Sequence, residues 1–194
     1  MFFRRCLAAG SLALLTAHPA AAEVVAKSDA GFVSRNAVEV KATPAAAWQT
    51  LIAPSQWWNA EHSFSGDAAN LYIDPQAGGC FCEKLPAKDD AVPGARLGSV
   101  LHMTVIHAAP GAVLRLSGGL GPLQSEAAGG TLSITLKSTP GGTRILWEYV
   151  VGGYMRHKVD EIAPAVDKVM AEQLSRLAAK LGAGEGGPKP VEAP

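Results

Sequence analysis

The chain has 194 residues, with 17 basic and 17 acidic side chains and five histidines, so it carries no field strong enough to gather nucleic acid. Its length suits one domain with one core, and it contains no internal repeat.

Met1 to Ala22 runs from Arg4 and Arg5 through an apolar stretch, Leu7 to Ala17, to the small residues Ala20-Ala21-Ala22. This order reads as a secretory signal peptide cleaved after Ala22. The apolar stretch is too short to span a bilayer, which takes ~20 apolar residues, so no integral span is expected after cleavage. A periplasmic or secreted location follows. Removing 22 of 194 residues leaves 172, read as a domain over 23–182 and a Gly-, Pro- and Ala-rich tail over 183–194. That tail cannot repay its ordering entropy and is expected to be disordered.

From Gly31 to Lys41, Phe32, Val38 and Val40 alternate with Arg35, Glu39 and Lys41, the pattern of a half-buried strand. Thr43-Pro44 supplies an N-cap and a proline at the first position of a short helix ending near Pro54. The segment from Pro54 to Asn70 has no steady period, and a second short helix followed by a loop is expected there. Six further strands are predicted at Leu71–Asp74, Cys80–Leu85, Ser99–His107, Val113–Ser117, Thr131–Ser138 and Arg144–Val151. The glycine- and proline-bearing breaks between them favour antiparallel hairpins. Gly118-Gly119-Leu120-Gly121-Pro122 does not lead into an amphipathic helix and reads as a hairpin or flexible rim, not a phosphate loop.

Between Asp160 and Leu181, the residues Ile162, Val166, Val169, Met170, Leu174, Leu177 and Leu181 recur at helical spacing. Asp167, Lys168, Glu172, Arg176 and Lys180 fall between them. Pro164 near the start and Gly182 past the end fit the asymmetry of helix termini. Such a helix needs an apolar surface to cover, and a curved antiparallel sheet supplies one.

Three passages carry a family resemblance: Val38-Glu39-Val40-Lys41-Ala42-Thr43-Pro44-Ala45-Ala46-Ala47-Trp48, Gly78-Gly79-Cys80-Phe81-Cys82-Glu83, and Gly142-Thr143-Arg144-Ile145-Leu146-Trp147. With the element order, they resemble the SRPBCC superfamily of START-like domains and polyketide cyclases. The passages look most like its branch related to the activator of the heat-shock-protein ATPase. The resemblance covers roughly 31–181. It implies an α+β helix-grip fold, in which a seven-stranded curved antiparallel sheet wraps a long C-terminal helix, with two short helices after the first strand and a cavity between sheet and helix.

In that fold Trp57, Trp58 and Phe64 sit where the short helices close the cavity mouth, with Trp58 and Phe64 the better candidates for the pocket itself. Glu83 shares parity with Phe81 and Leu85 and points inward if they do. The opposite register turns Cys80 and Cys82 inward and leaves Glu83 in water, the alternative favoured here. His62 and His102 are the other polar candidates, though a histidine on a partly apolar strand is more often a hydrogen-bonded structural residue. Phe81, Trp147 and Met170 complete the set of candidate ligand contacts: Trp58, His62, Phe64, Phe81, Glu83, His102, Trp147 and Met170.

Cys80 and Cys82 remain after cleavage, in a compartment that permits disulfides. Two fully extended residues hold the α-carbons ~6.6 Å apart, so a direct bridge is expected to be strained. Together with His62 they could ligate a soft metal, but a closed zinc site wants four ligands at recognisable spacing and none appears. No metal and no cofactor are expected, and no GxSxG, HExxH or phosphate loop marks an enzyme. The reading is an exported protein that binds a small hydrophobic or lipid-like molecule. The alternative is a cyclase, dehydratase or hydrolase working on a small apolar substrate in the same cavity.

Overall fold

A computed structural model describes residues 24–87, 97–183 and 189–190. The expected signal peptide lies outside the described residues, as does most of the expected disordered tail.

Strand β1 (Val24–Ser28) turns at Asp29-Ala30 into β2 (Gly31–Val40). Thr43 caps helix α1 (Pro44–Leu51), its hydroxyl accepting the Ala46 N–H at 3.3 Å, with Pro44 in the first turn. Three single-turn 3₁₀ helices follow, at Pro54–Gln56, Ala60–His62 and Ala68–Asn70. They replace the expected second short helix. Asn59 and Asp67 cap the later two by accepting the Glu61 and Ala69 N–H groups.

Strands β3 (Leu71–Ile73), β4 (Cys80–Leu85), β5 (Gly98–Ala109) and β6 (Val113–Ser117) come next, then a 3₁₀ turn at Gly121–Ser125. Strands β7 (Ala127–Thr139) and β8 (Gly142–Tyr154) lead to helix α2 (Val159–Lys180), and β9 (Lys189–Pro190) runs antiparallel to β2 at Asn36 and Ala37.

The sheet order is β1-β2-β8-β7-β6-β5-β4-β3, every pairing antiparallel, with β9 as a side branch on β2. The path therefore holds eight strands, where seven were expected. The added one is β1, whose Val24–Ser28 forms a hairpin with the start of β2. Because β2 lies near one edge and β3 at the other, α1 and the 3₁₀ turns must cross the end of the curved sheet. That crossing forms the roof over one end of the molecule. Among the described residues no helix is long and apolar enough to cross a membrane.

Helix α2 packs along the concave face, mainly on β2. Its C-terminal half is solidly packed: Leu174 and Leu177 are fully buried in one core with Trp48, Leu51, Leu136 and Ile145. Complete burial of each leucine contributes about 1.5–3 kcal/mol. Gly182 ends the helix at φ +68°, a left-handed value that suits glycine.

One reading of a polar position is corrected here, and one left open is filled in. Asp167, expected off the buried face, is 1% exposed; one of its oxygens accepts the Ser34 hydroxyl at 2.5 Å and the Asn36 amide at 3.0 Å. Ser34 and Asn36 share the inward parity of Phe32 and Val38, so β2 places two polar donors under the helix and Asp167 answers them. Cys80 and Cys82 form a disulfide. Their α-carbons are 5.4 Å apart, closer than a fully extended pair, and they lie beside an irregularity in the β4–β5 ladder.

Candidate functional site

A cavity of about 400 Å³ opens between the N-terminal half of α2, the segment Trp58–Phe64 and the loop before the 3₁₀ turn at Gly121. Ile162, Val166, Val169 and Met170 form its helical wall, opposite Trp58, Phe64, Leu120 and Pro122. Its lining is mostly apolar, and its size is that of a small-molecule pocket.

The loop wall is held from beneath by Tyr149. Its hydroxyl donates to the Gly118 carbonyl at 3.0 Å and accepts the Leu120 N–H at 3.1 Å, and burial pushes its pKa up to about 12. Gly130 is what lets the ring lie there, since a Cβ on it would meet the Tyr149 ring at 2.6 Å. Leu120, Gly121 and Pro122 are thus an anchored rim. The signal in the sequence was the Gly118–Pro122 run itself, whose composition located a rim without giving it a lining role.

The opposite wall depends on a bulge. Phe81 pairs with Met103 and Cys82 with Leu101, so His102 is an extra residue in β5. It and Met103 are both buried, at 5% and 1% exposure, while Leu101 is exposed. A bulge re-aims a side chain that strict alternation would send the other way. His102 consequently faces inward, its ring stacked on Phe81 at 4.8 Å between centroids and tilted against Phe64 at 5.8 Å.

Behind His102 lies Glu83, fully buried, which corrects the favoured solvated reading: Phe81 and Glu83 do share the inward face. The physical reason is that Glu83 has its donors waiting. Oε2 accepts the Phe64 N–H at 3.0 Å and contacts His102 Nε2 at 3.0 Å, and Oε1 accepts the Ser65 N–H at 2.5 Å. Burial pushes the Glu83 carboxyl up, but the hydrogen bonds from Ser65, Phe64 and His102 outweigh it and hold the group below its ordinary value. Burial pulls His102 below the usual histidine range, and the nearby Glu83 offsets only part of that. The pair is therefore a carboxylate with a neutral imidazole.

Of the predicted contacts, Trp58, His62, Phe64, His102 and Met170 line the cavity. Trp58 is fixed by its indole N–H donating to the His62 carbonyl at 3.1 Å and by edge packing on Phe81 at 5.1 Å. Phe64 is 57% exposed and stands at the mouth. His62 sits at the outer rim, 3.2 Å from Glu172. Phe81, Glu83 and Trp147 stand behind the wall: Phe81 supports Trp58 and His102, Glu83 supports His102, and Trp147 belongs to the core against Trp57 at 5.9 Å. Trp57 itself is core, donating to the Thr50 carbonyl at 2.9 Å. Among the described residues no cluster of three or more His, Cys, Asp or Glu could hold a metal ion.

No family model matches the sequence, and no curated protein matches it. Solved structures do. An uncharacterised protein from Rhizobium leguminosarum shares 20% identity at a TM-score of 0.52, over 77% of this chain and 93% of that one. StfQ, a di-domain ARO/CYC protein of the steffimycin biosynthetic pathway, shares 12% at a TM-score of 0.53, over 79% of this chain and 51% of that one. The Aha1 dimer from Colwellia psychrerythraea shares 16% at a TM-score of 0.48, over 79% and 98% of the two chains. The first two likenesses show that this α+β architecture, a large antiparallel sheet around a long C-terminal helix, is a fold already seen in solved proteins.

Proposed function

We propose that the chain is an exported binding protein of the SRPBCC helix-grip type that carries a small hydrophobic molecule in the cavity under α2. The observation that carries this reading is the division of α2: its C-terminal half meets a packed core, whereas Ile162, Val166, Val169 and Met170 meet about 400 Å³ of apolar space. A ligand there is removed from water at roughly 25 cal/mol per Å² of apolar surface. Export rests on the Arg4-Arg5, Leu7–Ala17 and Ala20–Ala22 pattern, and the Cys80–Cys82 disulfide suits an oxidising compartment. The cavity also agrees with the likeness to StfQ, an ARO/CYC protein.

Native mass spectrometry of protein purified from its own host tests the reading. It is expected to show a mature N-terminus at Glu23 and a co-purifying small molecule, released by Val166→Trp, which fills the cavity. An empty protein that takes up no member of a broad apolar panel would overturn it.

A second reading is favoured by one observation, the Glu83–His102 contact at 3.0 Å behind the cavity wall. A neutral imidazole oriented by a carboxylate is the arrangement of a general base, so a cyclase or dehydratase acting in the same space is the alternative. Turnover of the co-purified molecule that disappears in His102→Gln, with binding retained, would select it.

A further inference from the structure

We propose that the cavity selects an apolar molecule bearing one hydroxyl donor, phenolic or enolic, which hydrogen-bonds to Nδ1 of His102. The proposal deepens the binding reading above and rests on it.

The proton positions follow from the donors around Glu83. The Phe64 and Ser65 N–H groups can only donate, and they occupy Oε2 and Oε1 in turn, so both oxygens act as acceptors. Those bonds favour the ionised carboxylate, which can only accept, so the third contact, His102 Nε2 to Oε2 at 3.0 Å, is made by an N–H. A neutral imidazole has one N–H, and the lone pair is left on Nδ1. A doubly protonated ring is disfavoured between Phe81 and Phe64, where burial penalises charge.

His102 is 5% exposed and borders the cavity, and its Nδ1 has no hydrogen-bond partner among the described residues. That lone pair is free to accept from an arriving donor. Of the other polar side chains of the lining, Glu61 and His62 are exposed, with His62 facing Glu172, and the Ser63 hydroxyl donates to the Ala60 carbonyl at 2.8 Å. His102 is the most deeply buried polar side chain of the described lining, and so the one best placed to read a hydroxyl inside the cavity. The backbone bonds from Phe64 and Ser65 make Glu83 a positioning residue, since it sets the tautomer without touching the ligand.

The test uses 2-naphthol and its near-isostere 2-methylnaphthalene as probes, titrated calorimetrically into the full mature chain. The affinity ratio of naphthol to methylnaphthalene is expected to fall about three- to tenfold in His102→Leu, the weight of one hydrogen bond. In the wild type, long-range nitrogen–proton spectra are expected to show Nε2 protonated and Nδ1 bare, with naphthol alone moving the Nδ1 resonance. This second readout needs no variant to fold. If both probes bind and the ratio is unchanged by the substitution, or if Nδ1 carries the proton, the ligand class is wrong while the carrier reading stands. If neither probe binds, the hydroxyl reading falls, and the carrier reading falls with it only if the broad apolar panel is also refused.

Discussion

Two buried carboxylates hold this molecule together, and they do it differently. Asp167 lies between α2 and β2 and accepts both of its side-chain donors, from Ser34 and Asn36, on one oxygen. Glu83 lies behind the cavity wall and uses both oxygens, two contacts going to backbone N–H groups of the loop that carries Phe64 and one to His102. The first is a closed pin between helix and sheet. The second fixes the loop that carries Phe64 and a cavity-lining ring at once, so a buried charge is informative through what it positions.

The largest effect is expected from Asp167→Ala. It orphans the buried Ser34 hydroxyl, leaves the Asn36 amide only its 3.3 Å contact with Ser34 Oγ, and removes both hydrogen bonds to the carboxylate, a loss of about 3 kcal/mol. Urea unfolding measures it, and the naphthol affinity of the folded fraction should be unchanged. Glu83→Gln is expected to cost about 2 kcal/mol. An amide replaces one of two accepting oxygens with a donor, which then faces either the Ser65 N–H or the pair Phe64 N–H and His102. Hydrogen exchange at Phe64 and Ser65 should quicken with it. Asp167→Asn sharpens the contrast: the accepting oxygen can be kept, so the loss should stay near 1 kcal/mol or less. Equal costs for the two amide substitutions would remove the distinction between pin and positioning residue.

The sequence revealed most of this fold and only part of the site, for identifiable reasons. The α2 stripe and the alternation in Phe32–Val40 and Thr131–Lys137 obey simple periods, and the structure repeats them. Thr43-Pro44 announced α1 by cap chemistry that acts within one turn. β1 was missed because Val24–Ser28 is short and mostly exposed. The site was harder because it hangs on one extra residue. Strict alternation sends His102 and Met103 to opposite faces, and the bulge that turns both inward depends on pairing with β4, a tertiary fact. Glu83 was misjudged for a related reason: a lone glutamate in a strand is cheaper in water unless donors await it, and those donors are backbone groups 18 and 19 residues away. Asp167 shows the same limit, since Ser34 and Asn36 lie on a different element.

Acid should act on the Glu83–His102 pair. Glu83 and His102 both bind protons more weakly in the folded chain than in the unfolded one. The unfolded state therefore takes up more protons as pH falls, and stability drops. The His102 contribution is complete above its ordinary value of 6.5 and is lost below it as the ring is forced to charge. The Glu83 contribution is complete above 4.5 and is lost as pH falls through its lower folded value. Unfolding midpoints are expected to decline between about pH 7 and pH 5, and His102→Gln should flatten that window while leaving the lower one. A decline that His102→Gln does not alter would mean that folding leaves the proton affinity of His102 unchanged and that other groups carry the decline.

The smallest effect is expected at the rim, where a third carboxylate makes the comparison quantitative. Glu172 accepts the Asn59 side-chain amide at 2.5 Å and faces His62 at 3.2 Å, and both partners of that ion pair are about a third exposed. The Asn59 bond, aided by His62, holds the Glu172 carboxyl below its ordinary value, but water competes for every group concerned. An exposed pair of this kind contributes roughly 0–1 kcal/mol and is screened by salt. His62→Ala should therefore shift the urea midpoint barely, and the shift should shrink further in high salt. Its naphthol-to-methylnaphthalene ratio should match the wild type, because the acceptor that reads the hydroxyl lies deeper, at His102. A ratio that fell in His62→Ala and held in His102→Leu would move the point of recognition from the cavity wall to its mouth, and would make the buried dyad as purely structural as Asp167.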